Sequence, residues 1–278
     1  MPMNADQILD LLAVADDDRA ECIRLLQGIA DQAMVSEAKS ELTGRLGTFS
    51  VDPLKTSSED PMVWLTAFLQ LTPTIVEWHH AHGVPTEVTR ATLADVGRNI
   101  AKNRAAHSRF GLETWDWLTP HYTGMLFALG RLNFMLHPAR ESIDGVIAAG
   151  EWYLGIHIPE SGRLTPAAVD ASLAQAKTFF ATCFPRSPVA IAACESWILD
   201  PYLVKAMPTN TNIAAFVQRF SKMADPYDDA SSALFFVFRT RDVSRVPSLP
   251  RDTMLQRLVL DRADRDDPWQ IGSGYLRL

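Results

Sequence analysis

The sequence predicts a mixed α and β fold (α+β or α/β): an N-terminal helical bundle followed by a mixed β-sheet flanked by helices. Apolar residues recur at helical spacing from Asp6 to about Leu136, and after Pro138 short β-rich runs alternate with capped helices. A third sign is VAIAACESW, Val189–Trp197, a run of small and branched apolar residues typical of a strand buried on both faces. At 278 residues the chain is long enough for two domains, and the change of pattern divides it into residues 1–140 and 141–278.

The helices announce themselves in order. Ile8, Leu11, Leu12 and Ala15 share one face, and Cys22, Ile23, Leu25, Leu26 and Ile29 that of a second helix. Asp60-Pro61 reads as an N-cap and first-turn proline opening a helix through Trp64, Phe68, Leu71 and Trp78 to near Gly83. A further helix is expected over Pro85–His107. The next starts at Leu112 and carries Trp115, Leu118, Tyr122, Leu126, Leu129 and Leu132, apolar almost all round and therefore buried between helices.

In the second half, Gly145–Ala149 and Glu151–Ile158 read as a hairpin about Gly150, with Tyr153, Gly155 and His157 on one face and Trp152, Leu154, Ile156 and Ile158 on the other. Thr165-Pro166 caps a helix with an apolar stripe of Val169, Leu173, Ala176, Phe180 and Cys183. After Val189–Trp197 come helices around Pro201–Ala206 and Ile213–Met223, an aromatic strand Ser232–Arg239, a helix Thr253–Arg262 and a closing strand Trp269–Leu278 interrupted by Gly272 and Gly274. Strand, helix, strand in succession imply a parallel pair joined by a right-handed crossover.

Composition excludes several classes. With 47% hydrophobic and 21% charged residues the chain is not disordered, and 17 Pro with 14 Gly exclude collagen-like repeats. A net charge of −7 disfavours a dedicated nucleic-acid or anionic-membrane surface, so neither partner is expected. The opening MPMNADQILDLLAVADDDRAE lacks the basic start and apolar core of a signal peptide, and no stretch reaches the roughly 18 apolar residues of a membrane span. Three widely spaced cysteines, Cys22, Cys183 and Cys194, fit reduced thiols, and a soluble cytoplasmic protein is expected.

No phosphate-binding GxxxxGK[ST], nucleophile-elbow GxSxG, zincin HExxH, paired CxxC or dinucleotide GxGxxG is present. His79, His80 and His82 splay around a helix, which suits a basic helix C-terminus better than a metal site, and no metal is expected. In HIPESGRLTP a strand end leads through Ser161, Gly162 and Arg163 into a proline-initiated helix; such a start holds anions, though a capped loop has the same look. A parallel pair would set His157 and Glu160 beside Cys194, Glu195 and Ser196, at the strand ends where open α/β sheets bind ligands. His157, Glu160 or Glu195 has the chemistry of a general base, and Cys194 that of a nucleophile, although a small buried strand residue accounts for Cys194 better. Tyr202, in the next helix's first turn, is either a proton donor or a packing aromatic. Arg98, Arg104 and Arg131 stand on apolar helices and read as polar anchors.

Together these segments resemble a known family. ATLADVGRNIAKNR, WDWLTPHYTGMLFALGRLNF, GIHIPESGRLTP, CESWILDPYL, NIAAFVQRF and WQIGSGYLRL, across roughly residues 80–278, are similar to actinomycete-type bacterial acyltransferase-domain proteins, in which a helical N-acyltransferase N-terminal domain precedes a GNAT-like C-terminal domain. The resemblance implies a GNAT-type sheet and acyl transfer from acetyl-CoA or a longer acyl-CoA to an amine, with no permanently bound cofactor. Joined to the candidate residues, it leads to an expectation of direct attack: His157 or Glu160 deprotonates the amine, backbone N–H groups of Glu195–Trp197 polarise the thioester, and Tyr202 returns a proton. Ser161, Gly162, Arg163 and Ser196 would then contact CoA. The superfamily's [QR]-x-x-G-x-[GA] loop is absent, and ESGR is its nearest equivalent by position. A non-catalytic GNAT-like ligand-binding or sensor protein and a Cys194 acyl-enzyme remain as alternatives, and a homodimer stays open.

Overall fold

Side-chain caps set several of the helix starts. The computed structural model describes residues 3–28, 32–160, 162–229, 231–264 and 268–278, which divide into two units. The first comprises Met1–Leu129, Asn133–Pro138 and Thr178–Pro188, the second Gly130–Leu132, Ala139–Lys177 and Val189–Leu278.

In the first unit α1 (Ala5–Leu11) opens on a reciprocal cap between Asn4 and Gln7. α2 (Asp16–Leu26) carries three aspartates in its first turn, where the helix dipole favours them. α3 (Gln32–Arg45) has no counterpart among the expected helices; it buries only Val35, Ala38 and Leu42. α4 (Pro61–Ala81) begins as expected, Asp60 accepting from the Met62 N–H behind Pro61. The single helix expected over Pro85–His107 is two, α5 (Thr86–Leu93) and α6 (Asp95–His107). The Gly97 N–H donates to the Leu12 carbonyl instead of continuing the helical ladder, and a Cβ at Gly97 would collide with that carbonyl.

The long helix expected from Leu112 is also corrected. α7 (Trp115–Tyr122) stops before Gly124, whose φ of +73° suits glycine, and the apolar run beyond becomes β1 (Leu126–Leu129) and β2 (Leu132–Pro138). Both strands are almost wholly buried; a run apolar on every side has no period to distinguish strand from helix. The core of this unit stacks Trp64 on Trp115 and Phe68 on Tyr122, and packs Phe127 against Phe179, Phe180 and Phe184.

The second unit holds β3 (Trp152–His157), β4 (Val189–Ser196), β5 (Ser221–Asp228) and β6 (Gln270–Arg277) in the order β3-β4-β6-β5. β3 and β4 are parallel, as the crossover pattern predicts, and β6 is antiparallel to both β4 and β5. The connecting helix α8 (Pro166–Cys183) starts where Thr165-Pro166 places it. No hairpin forms about Gly150: residues 145–149 make turns and one isolated bridge, Ile143 to Ile147, and β3 takes β4 as its partner.

Beyond β4 come a 3₁₀ turn (Trp197–Leu199), α9 (Pro201–Ala206), α10 (Asn212–Val217), α11 (Ser232–Phe238), a second 3₁₀ turn (Val243–Ser248) and α12 (Met254–Asp264). Met223, expected in a helix, lies in β5. The aromatic segment Ser232–Arg239, expected as a strand, is α11: the Asp229 carboxylate accepts from the Ser231 and Ser232 N–H groups at its start, and Arg239 ends it at φ +59°. Gly272 and Gly274 do not interrupt β6; a Cβ at Gly272 would strike the Leu199 carbonyl, and one at Gly274 the Phe220 side chain. Among the described residues no helix is long and apolar enough to cross a membrane.

This packing makes stability predictable at particular positions. Gly272→Val should lower stability by about 1–3 kcal/mol through overpacking, whereas Gly44→Ala, in α3 with open space around it, should raise it by about 0.5–1 kcal/mol; urea midpoints compare them. The His79 imidazole, whose Nδ1 lies 3.0 Å from the Thr89 hydroxyl, is pushed down to about 4 by burial and then by His82 and His121. The unfolded imidazole takes a proton near its ordinary 6.5 that the folded one refuses until about pH 4. Its stabilising contribution is therefore whole above pH 6.5 and drains away towards pH 4, on the order of 3 kcal/mol in all. In melting curves across that range His79→Gln should lose less stability than the parent.

Candidate functional site

Parallel pairing of β3 with β4 runs Trp152↔Val189, Leu154↔Ala192, Gly155↔Ala193 and stops there. Ile156 and His157 of β3 lie past the last pair, as do Cys194, Glu195 and Ser196 of β4. Those three β4 residues pair instead with Gly274, Ser273 and Gly272 of β6. The strands therefore part at their carboxyl ends. The Leu278 N–H donates to the Ala190 carbonyl at 3.0 Å, so the even-numbered residues of β4 exchange bonds with β6, and the amides of Ile191, Ala193 and Glu195 face β3. Past the final pair, the Glu195 N–H is aimed into the gap.

Register also sorts the side chains. Gly155 opposes Ala193, which puts His157 and Glu195 on one face and Leu154, Ile156, Ala192, Cys194 and Ser196 on the other. Glu195 is exposed and accepts the Tyr227 hydroxyl at 2.7 Å. That phenol is pushed up to about 12, first by burial and then by Glu195. Cys194 is only 1% exposed, and burial, followed by the Glu195 charge, pushes its thiol up to about 12. Ser196 accepts from the Ile198 N–H at 3.4 Å, capping the 3₁₀ turn.

The remaining predicted residues have other surroundings. Glu160 holds Arg239 through two bonds of 2.7 and 2.8 Å. Tyr202 packs against a cluster of Leu203, Val259, Leu260 and Trp269, with the Arg262 guanidinium 5.3 Å from its ring centre. Ser161 lies outside the described residues. Gly162 has a φ of +82°, and Arg163 is exposed. Arg98 and Arg104 are bundle anchors, paired with Asp95 and Asp18. Of the histidine trio, His82 packs on the Trp78 ring; among the described residues no three His, Cys, Asp or Glu side chains gather to hold a metal.

Arg131 is the main correction. It stands in the turn after β1 rather than on a helix: its N–H donates to the Ser172 hydroxyl of α8 at 2.6 Å, and its Nε to the Arg163 carbonyl at 3.2 Å. Its Nη1 is buried without a hydrogen-bond partner among the described residues, and burial lowers the guanidinium's pKa. A second arginine, Arg219, pairs with Asp170 in the first turns of α8, donates to the Pro166 carbonyl at 3.4 Å and keeps a buried Nε that has no hydrogen-bond partner among the described residues. In the sequence, the signals for this pair are Gly130-Arg131 interrupting a greasy run and the terminal RF of NIAAFVQRF. The start of α8 is thus flanked by two guanidiniums with hydrogen-bonding capacity to spare, beside a positive-φ glycine, an arrangement suited to phosphate.

Two family models match the chain: the N-acyltransferase N-terminal domain over residues 3–124 and the GNAT-like C-terminal domain over residues 126–276. Among solved structures, a mutant acyltransferase in complex with octanoyl-CoA is similar at 26% identity and a TM-score of 0.83, over 99% of this chain and 87% of that one. An acyltransferase in complex with decanoyl-CoA and teicoplanin is similar at 26% identity and a TM-score of 0.82 over the same shares. Another, with CoA and 10C-teicoplanin, has 26% identity and a TM-score of 0.83 over 100% of this chain and 89% of that one. No curated protein matches.

The burial of Cys194 has a direct consequence. In the folded protein at pH 8 iodoacetamide should leave Cys194 unmodified, whereas in urea all three free cysteines should react. An intact-mass adduct on Cys194 of the native protein would contradict the buried, neutral thiol.

Proposed function

Because this chain belongs to the family that joins an N-acyltransferase N-terminal domain to a GNAT-like C-terminal domain, we propose that it transfers an acyl group from acyl-CoA directly to a small-molecule amine. The supporting observation is the end of the β3–β4 pairing at Gly155 and Ala193, which directs the Glu195 N–H into the gap between the strands. Related acyltransferase structures hold octanoyl-CoA and decanoyl-CoA, which supports the same class of donor.

In this reading the thioester carbonyl lies in the gap and accepts from the Glu195 N–H. The amine nitrogen attacks the carbonyl carbon, and the negative charge gathering on the oxygen is met by a donor already in position. The C–S bond then breaks, releasing the CoA thiolate and the amide. His157, on the same face as Glu195, takes the proton the amine loses, directly or through one water. The thiolate is protonated by solvent, its basicity being near that of an ordinary thiol.

Glu160, committed to Arg239, is assigned to holding the loop after β3, and Tyr202 to packing. Ser196 caps its own turn at the mouth of the gap. Gly162 and Arg163, with Arg131 and Arg219 beside the start of α8, are assigned to the CoA phosphates, guanidinium side chains doing what glycine-rich loop amides do elsewhere. Cys194, buried and neutral on the opposite face, is given no covalent role.

Titration calorimetry with CoA and acyl-CoAs, beside a turnover assay on amine acceptors, tests the assignment. Arg131→Ala should weaken CoA binding about 10- to 100-fold, the worth of hydrogen bonds to a charged group. His157→Ala should lower kcat about 100-fold or more with CoA affinity unchanged, and Cys194→Ala should keep its turnover. No binding of any acyl-CoA at millimolar concentration would overturn the reading.

A further inference from the structure

Past Ser196 the chain enters the Trp197–Leu199 turn, and the Trp197 ring stacks on Phe236 of α11, centres 6.3 Å apart and planes 11° from parallel. Phe235 meets Phe236 edge-on at 5.3 Å. At the far end of α11, Arg239 grips Glu160, in the segment after β3. One short helix is therefore fastened to the chain just beyond each of the two parting strands. Its Ala233 and Leu234 are buried in the cluster with Leu203, Val259 and Leu260, yet Phe236 stays 44% exposed, one of few large hydrophobic side chains the described residues leave in solvent. An aromatic ring held by a stacked indole, in the turn directly after β4, has paid its ordering cost before any ligand arrives.

Resting on the thioester reading above, we propose that Trp197 and Phe236 form the wall along which a donor's acyl chain lies, so that α11 selects long chains over acetyl. The Glu195 N–H marks the carbonyl oxygen, and Trp197 comes two residues later, about 7 Å away at most along an extended chain. An acetyl group ends at the carbonyl, whereas a chain of eight or ten carbons has to be covered by apolar surface on leaving the gap. The stacked pair is such a surface, directly continuous with β4. Each methylene buried there multiplies affinity by up to about fourfold. The end of α11 suits an uncharged guest: the carboxylate and guanidinium of Glu160 and Arg239 neutralise one another, and the Arg241 guanidinium is held over the Phe235 ring at 4.3 Å.

The test compares dissociation constants for CoA, acetyl-CoA and decanoyl-CoA in the parent, Phe236→Ala and Phe236→Leu, with sedimentation velocity on each. The parent should bind decanoyl-CoA more tightly than acetyl-CoA; Phe236→Ala should shrink that ratio about tenfold without changing the CoA constant, and Phe236→Leu should restore most of it. CoA bound normally with the ratio unchanged in Phe236→Ala would overturn the wall alone. So would a dimer that becomes a monomer in Phe236→Ala while the ratio stays fixed, since the patch would then be covered by a second copy of the chain. No CoA binding by the parent would remove the thioester site, and the wall with it.

Discussion

A single buried carboxylate governs where the end of β4 goes. Asp200 is 1% exposed; its Oδ1 accepts from the Tyr202 and Leu203 N–H groups at 2.7 and 3.3 Å and from Arg262, while Oδ2 accepts the Gln270 N–H at 2.8 Å. It thereby caps α9, engages α12 and fixes the first residue of β6. A buried ion pair adds little to stability by itself, yet losing one partner strands a charge in the interior at about 3–5 kcal/mol. Such a group is a strong constraint on geometry, since every alternative path for the chain must leave it unsatisfied. With the exit from β4 and the entry to β6 set by one side chain, the last three residues of β4 follow β6, and β3 goes its own way.

The glycines of β6 belong to the same constraint. At Gly272 the Leu199 carbonyl occupies the space a Cβ would need, so the turn after β4 folds back directly over β6. Sequence reading takes two glycines in a strand as a weakness, but here they admit close backbone approach. The parting of β3 and β4 is thus maintained from the β6 side, and no bulky wedge between the parting strands is needed to explain it.

Local signals in the sequence are legible and distant ones are not. Asp60-Pro61, Thr165-Pro166 and Asp200-Pro201 mark helix starts within two residues, because a cap is a contact between near neighbours. Leu126–Pro138 and Ser232–Arg239 mislead because their short, mostly apolar runs lack the period that separates helix from strand, and α3 is hard to see because its three buried positions sit among small and polar residues. In the candidate site, alternation along Val189–Ser196 separates Glu195 from Cys194, but which of them shares the face of His157 follows from the register of Gly155 with Ala193, which the sequence does not encode. Arg131 lies 32 residues from the Arg163 carbonyl it binds, and Arg219 lies 53 from Pro166, separations that local spacing does not encode. That distance explains why sequence reading points only to ESGR in place of the missing glycine-rich loop: the two arginines beside the start of α8 come from turn and helix-end positions elsewhere in the chain.

The division between the two faces of β3 and β4 bears on how acyl transfer can proceed. A covalent acyl-enzyme requires a nucleophile that ionises near neutral pH and that the substrate reaches. Cys194 meets neither condition, since it is buried on the face it shares with Leu154, Ile156 and Ala192, and burial, followed by the Glu195 charge, pushes the thiol up to about 12. The opposite face carries the histidine, an exposed carboxylate and a phenol hydrogen-bonded to it, which are groups that move protons without forming covalent intermediates. A backbone N–H directed into the gap is equally indifferent to which nucleophile attacks. An amine held against a polarised thioester needs nothing more from the protein than position and a proton acceptor, and the proposed direct transfer asks only these of the strand end.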